Sequence, residues 1–145
     1  MTLVDQLARD YPALHFVRGQ RAYWSAREQT IYYTDDWTQT LHELGHALLG
    51  HSHYGQDIEL LQMERAAWAL AQQLAPRYHL TISDDTVEDA LDSYRDWLHC
   101  RSKCPTCGQT GIQSKANLTY HCPNCHCRWS VNDGRSQRIK RTKIK

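Results

Sequence analysis

Lysine is missing from the first hundred residues of this 145-residue sequence, and acidic residues are nearly missing from the rest. Up to residue 100, seven Arg stand against fifteen Asp and Glu, a net charge of −8; beyond it, ten Lys and Arg stand against Asp133 alone, a net charge of +9. The overall charge of +1 therefore combines an acidic region with a basic one. Basic appendages commonly contact nucleic acid or acidic partners, which makes the second region a candidate for such contacts.

Long apolar runs are also missing from the sequence. None approaches the roughly 18 residues of a membrane-spanning helix. The first thirty residues contain Asp5, Arg9, Asp10 and Arg18, which a signal-peptide core would exclude. We therefore expect a cytoplasmic protein with no membrane partner. Because thiols stay reduced in that compartment, the six cysteines indicate metal binding rather than disulfide bonds.

The patterns along the chain predict a helix, three short strands and three further helices, in that order. A short first helix is expected within 1–13, ended by Tyr11-Pro12. The other expected helices cover 36–50, 56–75 and 84–98, and the expected strands cover 14–18, 21–26 and 30–34. Asp35 or Asp36 is the expected N-cap of the second helix, and Gly50 its end. From residue 99 onward, Cys, Pro, Gly and Asn replace the helical pattern.

The second predicted helix contains the motif His42-Glu43-Leu44-Gly45-His46. Histidines four residues apart share one helix face, with Cβ atoms about 6 Å apart, so both imidazoles can bind one Zn²⁺. The Glu43 carboxylate, one residue along, can take a proton from water on that metal. The spacing therefore predicts a zinc site with Glu43 as the catalytic base.

A catalytic zinc usually has three protein ligands and an open position, so a third ligand is needed. Glu64 is the best candidate, because it falls in the middle of the apolar face of the next predicted helix, where an unpaired carboxylate is costly to bury. A salt bridge or hydrogen bond between helices is the alternative explanation. His51 and His53 are alternative ligands, but Gly50 predicts a helix end before them and their spacing does not fit HExxHxxGxxH.

Two stretches resemble the ImmA/IrrE-type metallopeptidases, a gluzincin-like group found in phages and mobile elements: HELGHALL at 42–49 and E-x-x-A-x-x-x-A-x-x-L-x-P at 64–76. The resemblance extends over about residues 1–100. Thermolysin-like gluzincins place an Asp four residues after the third ligand, and this chain has Trp68 there.

The resemblance implies particular roles for the motif residues. His42, His46 and Glu64 would bind the zinc ion, and Glu43 would be the general base. The implied substrate is a protein such as a DNA-bound transcriptional repressor.

A peptidase also needs an oxyanion donor and an edge that holds its substrate. Tyr54, Tyr78 and His79 lie near predicted helix ends and are candidates for the donor, although residues of these types more often serve packing or lie on the surface. The segments 14–18 and 21–26 are candidates for a sheet edge to which a substrate adds as a strand.

Cys104, Cys107, Cys122 and Cys125 form two CxxC pairs separated by fourteen residues. Four thiolates at this spacing are typical of a closed, tetrahedral, structural zinc site. A module of about 40 residues buries too little surface to fold without its metal. We therefore predict a zinc ribbon.

Further details of the ribbon follow from its pattern. Its expected strands are 118–121 and 128–131, joined onward by a hairpin turn at 132–134. His126 and Cys127 are alternatives to Cys125 as a ligand. Cys100 is expected to be a small buried residue at a helix end.

The basic residues of the ribbon and tail predict contact with nucleic acid. Residues 135–145 contain six Lys and Arg, and Arg128 stands next to Trp129, so phosphate contacts and base stacking are both conceivable. A solubilising tail and a protein-docking role are the alternatives.

Together these features predict an α+β fold with three parts: a zincin-like domain at 1–100, a zinc ribbon at 101–134 and a basic tail at 135–145. We expect two Zn²⁺ per chain, one catalytic and one structural. The expected activity is hydrolysis of a protein substrate, such as a DNA-associated regulator.

Two alternatives stay open at this stage. One is a SprT-like DNA-associated protease, whose third ligand is His, against which Glu64 argues. The other is a non-catalytic regulator in which zinc only joins two helices, and such a site would have no use for Glu43.

Overall fold

The computed structural model describes residues 1–133 and 138–145. Among these residues there are four α-helices, a three-stranded mixed sheet and a four-stranded antiparallel sheet, which confirms the predicted α+β class. The helices are α1 (Leu3–Asp10), α2 (Trp37–Leu48), α3 (Asp57–Leu74) and α4 (Asp84–Ser102), with a 3-10 turn at Ala75–Tyr78. None of the described helices combines the length and the apolar character that a bilayer crossing requires.

The chain forms two compact units. We call residues 1–53 with 62–88 the N-terminal unit, and residues 54–61 with 89–145 the C-terminal unit. The sequence patterns predict a different division of the chain, into parts at 1–100, 101–134 and 135–145. Those boundaries remain predictions.

The helix that carries the histidine motif, α2, is bounded by residues that the sequence identifies. The Asp36 carboxylate accepts hydrogen bonds from the backbone N–H groups of Thr38 (3.1 Å) and Gln39 (3.3 Å). Asp36 is therefore the N-cap, rather than Asp35. Just beyond the other end, Gly50 has a φ of +69°, a left-handed conformation that terminates the helix and turns the chain back.

The three-stranded sheet has the order β1 (His15–Arg18), β3 (Thr30–Tyr33), β2 (Tyr23–Ser25). The central strand β3 runs parallel to β1 and antiparallel to β2, and its Ile31 is fully buried. Both segments considered as candidate substrate edges are therefore edge strands. Of the two, β2 packs against α2.

The last two helices differ from the prediction at their ends. Helix α3 stops at Leu74, and Pro76 lies in the 3-10 turn that follows, since proline supplies no N–H for a continuing α-helix. Helix α4 extends to Ser102, four residues beyond the predicted end at residue 98.

The C-terminal unit contains the antiparallel sheet, in the order β4 (Ile112–Gln113), β5 (Tyr120–His121), β6 (Arg128–Val131), β7 (Arg141–Ile144). The sequence predicts β5 and β6. Strand β7 pairs with β6 within the stretch predicted as a basic tail. Residues 134–137 lie outside the described part of the chain, and with them the third position of the predicted hairpin turn and the first residues of the tail.

Two aromatic rings form the core of this sheet. Tyr120 and Trp129 stack with centroids 5.5 Å apart and a 9° interplanar angle, and both are buried together with Cys104 and Cys122. Gly111 lies against them, because a Cβ at this position would collide with the Trp129 ring. The core is small, as expected for a module that a metal holds together.

A buried ion pair adds to this core. Arg101 Nε donates to Asp57 Oδ2 over 2.7 Å, and the Tyr120 hydroxyl donates to the same oxygen over 2.7 Å. Burial and the bond to Asp57 raise the pKa of Tyr120. Arg101 also donates to the Asn132 carbonyl, and its own carbonyl accepts the Trp129 indole N–H (3.0 Å). The charged groups of this pair thus all have hydrogen-bond partners, as buried charges require.

Candidate metal centres

The two motif histidines and Glu64 converge in the N-terminal unit. Nε2 of His42 lies 2.8 Å from Oε2 of Glu64, and Nε2 of His46 lies 3.1 Å from Oε1 of the same carboxylate. All three side chains are buried, at 5%, 8% and 5% exposure. Helix α3 thus places the carboxylate in front of both imidazoles on α2, as the sequence predicts for a third ligand.

Gly45 allows the two helices to approach this closely. A Cβ at Gly45 would collide with the backbone carbonyl of Ala67, one turn along α3 from Glu64. The glycine inside the motif is therefore needed for packing.

These three residues fit a divalent metal ion. Their donor atoms lie within 4.8 Å of one another. Four donors at zinc distances of about 2.1 Å would lie roughly 3.4 Å apart in a tetrahedron, so only small shifts of the 2.8 and 3.1 Å separations are needed. Burial raises the pKa of Glu64, but hydrogen bonds from His42 and His46 outweigh it and lower the pKa to about 2. The carboxylate is therefore ionised, as a metal ligand must be.

Trp68 supports the ring of His42. The two rings stack with centroids 4.3 Å apart and a 9° interplanar angle. Nδ1 of His42 is buried without a hydrogen-bond partner among the described residues, and its nearest carboxylate oxygen, Oε1 of Glu43, is 3.5 Å away. At the position where thermolysin-like gluzincins have an Asp, this chain therefore supplies an aromatic face.

His51 supports the other imidazole. Its Nδ1 lies 2.9 Å from Nδ1 of His46, and its backbone N–H donates to the His46 carbonyl over 3.0 Å. If Nε2 of His46 binds a metal, Nδ1 of His46 carries the ring proton and donates a hydrogen bond to Nδ1 of His51. Burial, followed by the neighbouring His46, lowers the pKa of His51, so His51 stays neutral and can accept. The structure thus places His51 behind the cluster, on the ring side away from Glu64.

Glu43 lies beside the cluster and next to the edge strand β2. Burial raises the pKa of Glu43, partly offset by the charges of His42 and His46 and by a hydrogen bond from the Trp24 backbone N–H. The Trp24 indole N–H donates to the His51 carbonyl over 2.9 Å. Trp24 therefore touches both Glu43 and the segment that supports His46.

A cleft of about 180 Å³ opens at this point. It is lined by residues of β2, α2, α3 and the segment after α2: Tyr23, Trp24, Glu43, His46, His51, Ser52 and Met63. Glu43 and His46 thus border a space that small groups can enter.

The remaining candidates of the sequence do not line this cleft. The Tyr78 hydroxyl donates to Asp10 over 2.8 Å, and burial and that bond raise its pKa, so it serves packing within the N-terminal unit. His79 is exposed, in the left-handed conformation that ends the 3-10 turn. His53 is exposed and pairs with the Ser52 hydroxyl (2.9 Å). Tyr54 lies in the C-terminal unit.

The four predicted cysteines form the second cluster, in the C-terminal unit. The Sγ atoms of Cys104 and Cys125 are 3.6 Å apart, those of Cys107 and Cys122 are 3.4 Å apart, and all four lie within 4.8 Å. The backbone N–H of Thr106 points at Cys104 Sγ over 3.4 Å. This set fits a metal ion with four thiolate ligands.

The local environment favours the thiolate form at Cys104 and Cys107. Burial raises the pKa of the Cys104 thiol, but the backbone N–H groups of Cys107 and Thr106 outweigh it and lower the pKa to about 6. A hydrogen bond from the Asn124 side chain is the largest cause of a lowered pKa at Cys107. At Cys125 a hydrogen bond from the Cys127 backbone lowers the pKa, but burial and the three neighbouring cysteines outweigh it and raise the pKa to about 12.

Two expectations about this region are wrong. Trp129, predicted as a surface on which a base could stack, is 0% exposed and stacks on Tyr120 instead. Successive strand residues face opposite sides of a sheet, so Arg128 reaches solvent while Trp129 fills the core. Cys100, expected to be buried, is exposed.

Comparison with protein-family models, with curated proteins and with solved structures finds no match to this chain.

Proposed function

We propose that the chain is a zinc-dependent endopeptidase that hydrolyses a protein substrate. The proposal rests on the convergence of the two Nε2 atoms and the Glu64 carboxylate, with the Glu43 carboxylate beside them in a cleft. Two His and one Glu are a ligand set that zinc takes in hydrolases, with a further position for water or substrate. The resemblance of residues 42–49 and 64–76 to the ImmA/IrrE-type metallopeptidases supports the same activity.

In this reaction the chain's own residues hold the metal and move the proton. When bound, zinc lowers the pKa of water and polarises the scissile carbonyl. Glu43 accepts the proton from the attacking water, and its raised pKa brings it closer to the range of an efficient base. The C–O bond forms, the C–N bond breaks, and Glu43 passes the proton to the leaving amine.

The edge of β2 is the proposed binding edge for the substrate. Its Trp24 contacts Glu43, and among the described residues β2 pairs with one strand, β3, on one side only. An extended polypeptide can add to such an edge through main-chain hydrogen bonds, which places a scissile bond near Glu43 without a deep pocket.

The proposed substrate is a DNA-associated regulator, such as a repressor of a phage or mobile element. The resemblance implies this class, and the positive charge of the C-terminal region is compatible with it. A SprT-like protease is the alternative, but the pairing of Glu64 with both imidazoles supports the Glu ligand. A purely structural zinc site leaves Glu43 without a role.

The decisive test is Glu43→Gln. This variant keeps the shape of the side chain, so we expect two metal ions per chain, unchanged folding and loss of cleavage by about 10²–10⁴-fold. Glu43→Gln is first used to capture proteins from the native host, and purified captured proteins are then assayed for cleavage with the wild type. Asp85→Asn, an exposed change of equal charge, is the control and should cleave normally. Wild-type cleavage by Glu43→Gln would refute the proposed role.

A further inference from the structure

A polar cleft lies on the C-terminal unit, within the turn between β4 and β5 and alongside the sheet. Its volume is about 400 Å³. Six residues line it, none of them acidic and none aliphatic: Ser114, Asn117, Thr119, His121, His126 and Arg128. The proposed peptidase mechanism uses none of them.

The sheet register places two of these residues side by side. His121 on β5 lies directly opposite Arg128 on β6, and directly opposed residues of antiparallel strands project from the same face. The neighbouring pair, Tyr120 and Trp129, projects from the other face into the core. His121 and Arg128 are accordingly both exposed.

The turn between β4 and β5 is held by its own hydrogen bonds, and these leave donors available to a ligand. Oδ1 of Asn117 accepts from both the N–H (3.2 Å) and the hydroxyl (2.7 Å) of Thr119, so the amide NH₂ of Asn117 remains to donate. The Ser114 oxygen accepts the Ala116 N–H over 3.2 Å, which leaves its hydroxyl proton free to donate. These groups are positioned before any ligand arrives.

No carboxylate within the described residues pairs with Arg128. Asp133 is the only acidic residue after residue 100. Four thiolates and one Zn²⁺ would reduce the formal charge of this region from +9 to about +7, so it stays strongly basic. A guanidinium with two imidazoles and neutral donors around one concave space is suited to an oxyanion.

The surroundings of the cleft favour a repeating anion over an isolated one. Lys115 is exposed in the turn between β4 and β5, which also supplies Ser114 and Asn117 to the cleft. Lys140 is exposed just before β7. Lys143 on β7 lies opposite Trp129 and therefore projects from the other face of the sheet. A polymer with one phosphate per unit can occupy the cleft and meet further cations along its length. Because Trp129 is buried, contacts would go to the backbone rather than to stacked bases.

We propose that the cleft between His121, His126 and Arg128 binds a phosphate of a nucleic-acid backbone. The inference does not depend on the peptidase reaction. It predicts nucleic-acid binding whose affinity depends little on the nucleotide sequence and strongly on the salt concentration.

The test uses the full chain with both metals bound and fluorescein-labelled 20-mers of mixed sequence, one single-stranded and one duplex, followed by fluorescence anisotropy. Arg128→Gln should weaken binding roughly tenfold and reduce the salt slope by about one. Asn117→Asp keeps the bonds to Thr119 but adds a negative charge to the cleft, and should weaken binding as well. Arg65→Gln removes one exposed charge from the N-terminal unit and should leave binding unchanged.

Three outcomes would overturn the inference. Binding could be absent for both 20-mers, or Arg128→Gln and Arg65→Gln could weaken it equally, which indicates diffuse charge. A phosphoserine peptide could also bind in an Arg128-dependent manner while both 20-mers fail. Metal content and thermal unfolding of each variant establish that it is folded.

Discussion

The His42, His46, Glu64 cluster and the four-cysteine cluster both gather possible ligand atoms within 4.8 Å, but they are built in different ways. The first takes three ligands from two helices and has a carboxylate and a cleft beside it. The second takes four ligands of one kind from two short turns. Three ligands leave a position for water or substrate, whereas four thiolates complete a tetrahedron. On the proposed function, the first cluster would be a site for chemistry and the second a site for folding.

The two clusters also differ in how their ligands are held. Side chains support the imidazoles: Trp68 stacks on His42, and His51 hydrogen-bonds to His46. Backbone N–H groups support the thiols, as Thr106 does for Cys104. Substitutions should therefore tune the first cluster, whereas the second responds mainly to loss of a ligand.

The largest effect is expected from Cys122→Ser. Cys122 is fully buried at the four-cysteine cluster, and structural zinc in small modules contributes about 10–16 kcal/mol of apparent binding free energy. We expect one metal ion per chain instead of two and a red-shifted Trp fluorescence as Trp129 becomes exposed. His42→Ala should also lose one metal but leave Trp129 buried. Cys100→Ser, at an exposed cysteine, should retain both metals. If Cys122→Ser kept two metals, the assignment of the cluster would be wrong.

An intermediate effect is expected from His51→Ala. Loss of an outer hydrogen bond to a ligating histidine typically costs about 10–100-fold in metal affinity, and we expect a loss of this size at His46. The affinity is measured by competition with a chromophoric chelator, and the four-cysteine metal should be unaffected. His53→Ala is the matched control, because His53 is exposed and bonds to Ser52. Equal affinities for His51→Ala and the wild type would mean that His46 needs no such support.

The sequence predicted the first cluster well, because helical spacing fixes which side chains share a face. His42 and His46 are four residues apart, and Glu64 stands out in an apolar face. The role of His51 could not be predicted from helical spacing, since it depends on the chain reversing after Gly50. A glycine at a helix end favours the left-handed conformation seen at Gly50, so a Gly followed directly by a His is the sequence signal that could have indicated the contact.

The C-terminal unit shows a different limit. The CxxC spacing predicted the cluster, but the Asp57–Arg101 ion pair joins residues 44 positions apart and leaves no local pattern. Strand β7 was missed because three of the four residues of Arg141–Ile144 are polar, so hydrophobic alternation is weak there. The burial of Trp129, in contrast, follows from strand alternation once β6 is recognised.

The smallest effect is expected from Trp68→Leu, and it would sharpen the comparison most finely. Stacking of aromatic rings contributes about 0.5–1.5 kcal/mol beyond burial, which corresponds to a roughly 2–10-fold lower metal affinity at His42. Trp68→Phe keeps an aromatic face against His42 and should recover most of the lost metal affinity.

Because removal of a buried Trp also lowers stability, affinity for the four-cysteine metal and the visible spectrum of the Co²⁺-loaded protein serve as separate measurements. If Trp68 positions His42, the Co²⁺ spectrum of the His site should change in Trp68→Leu and return to the wild-type spectrum in Trp68→Phe. The bands of the Co²⁺ bound to the four thiolates should stay constant in both variants. Equal losses of metal affinity at both clusters would show that Trp68 acts only through the stability of the fold. With the first outcome, stacking on Trp68 would fix the orientation of the His42 ring, whose Nδ1 has no hydrogen-bond partner among the described residues.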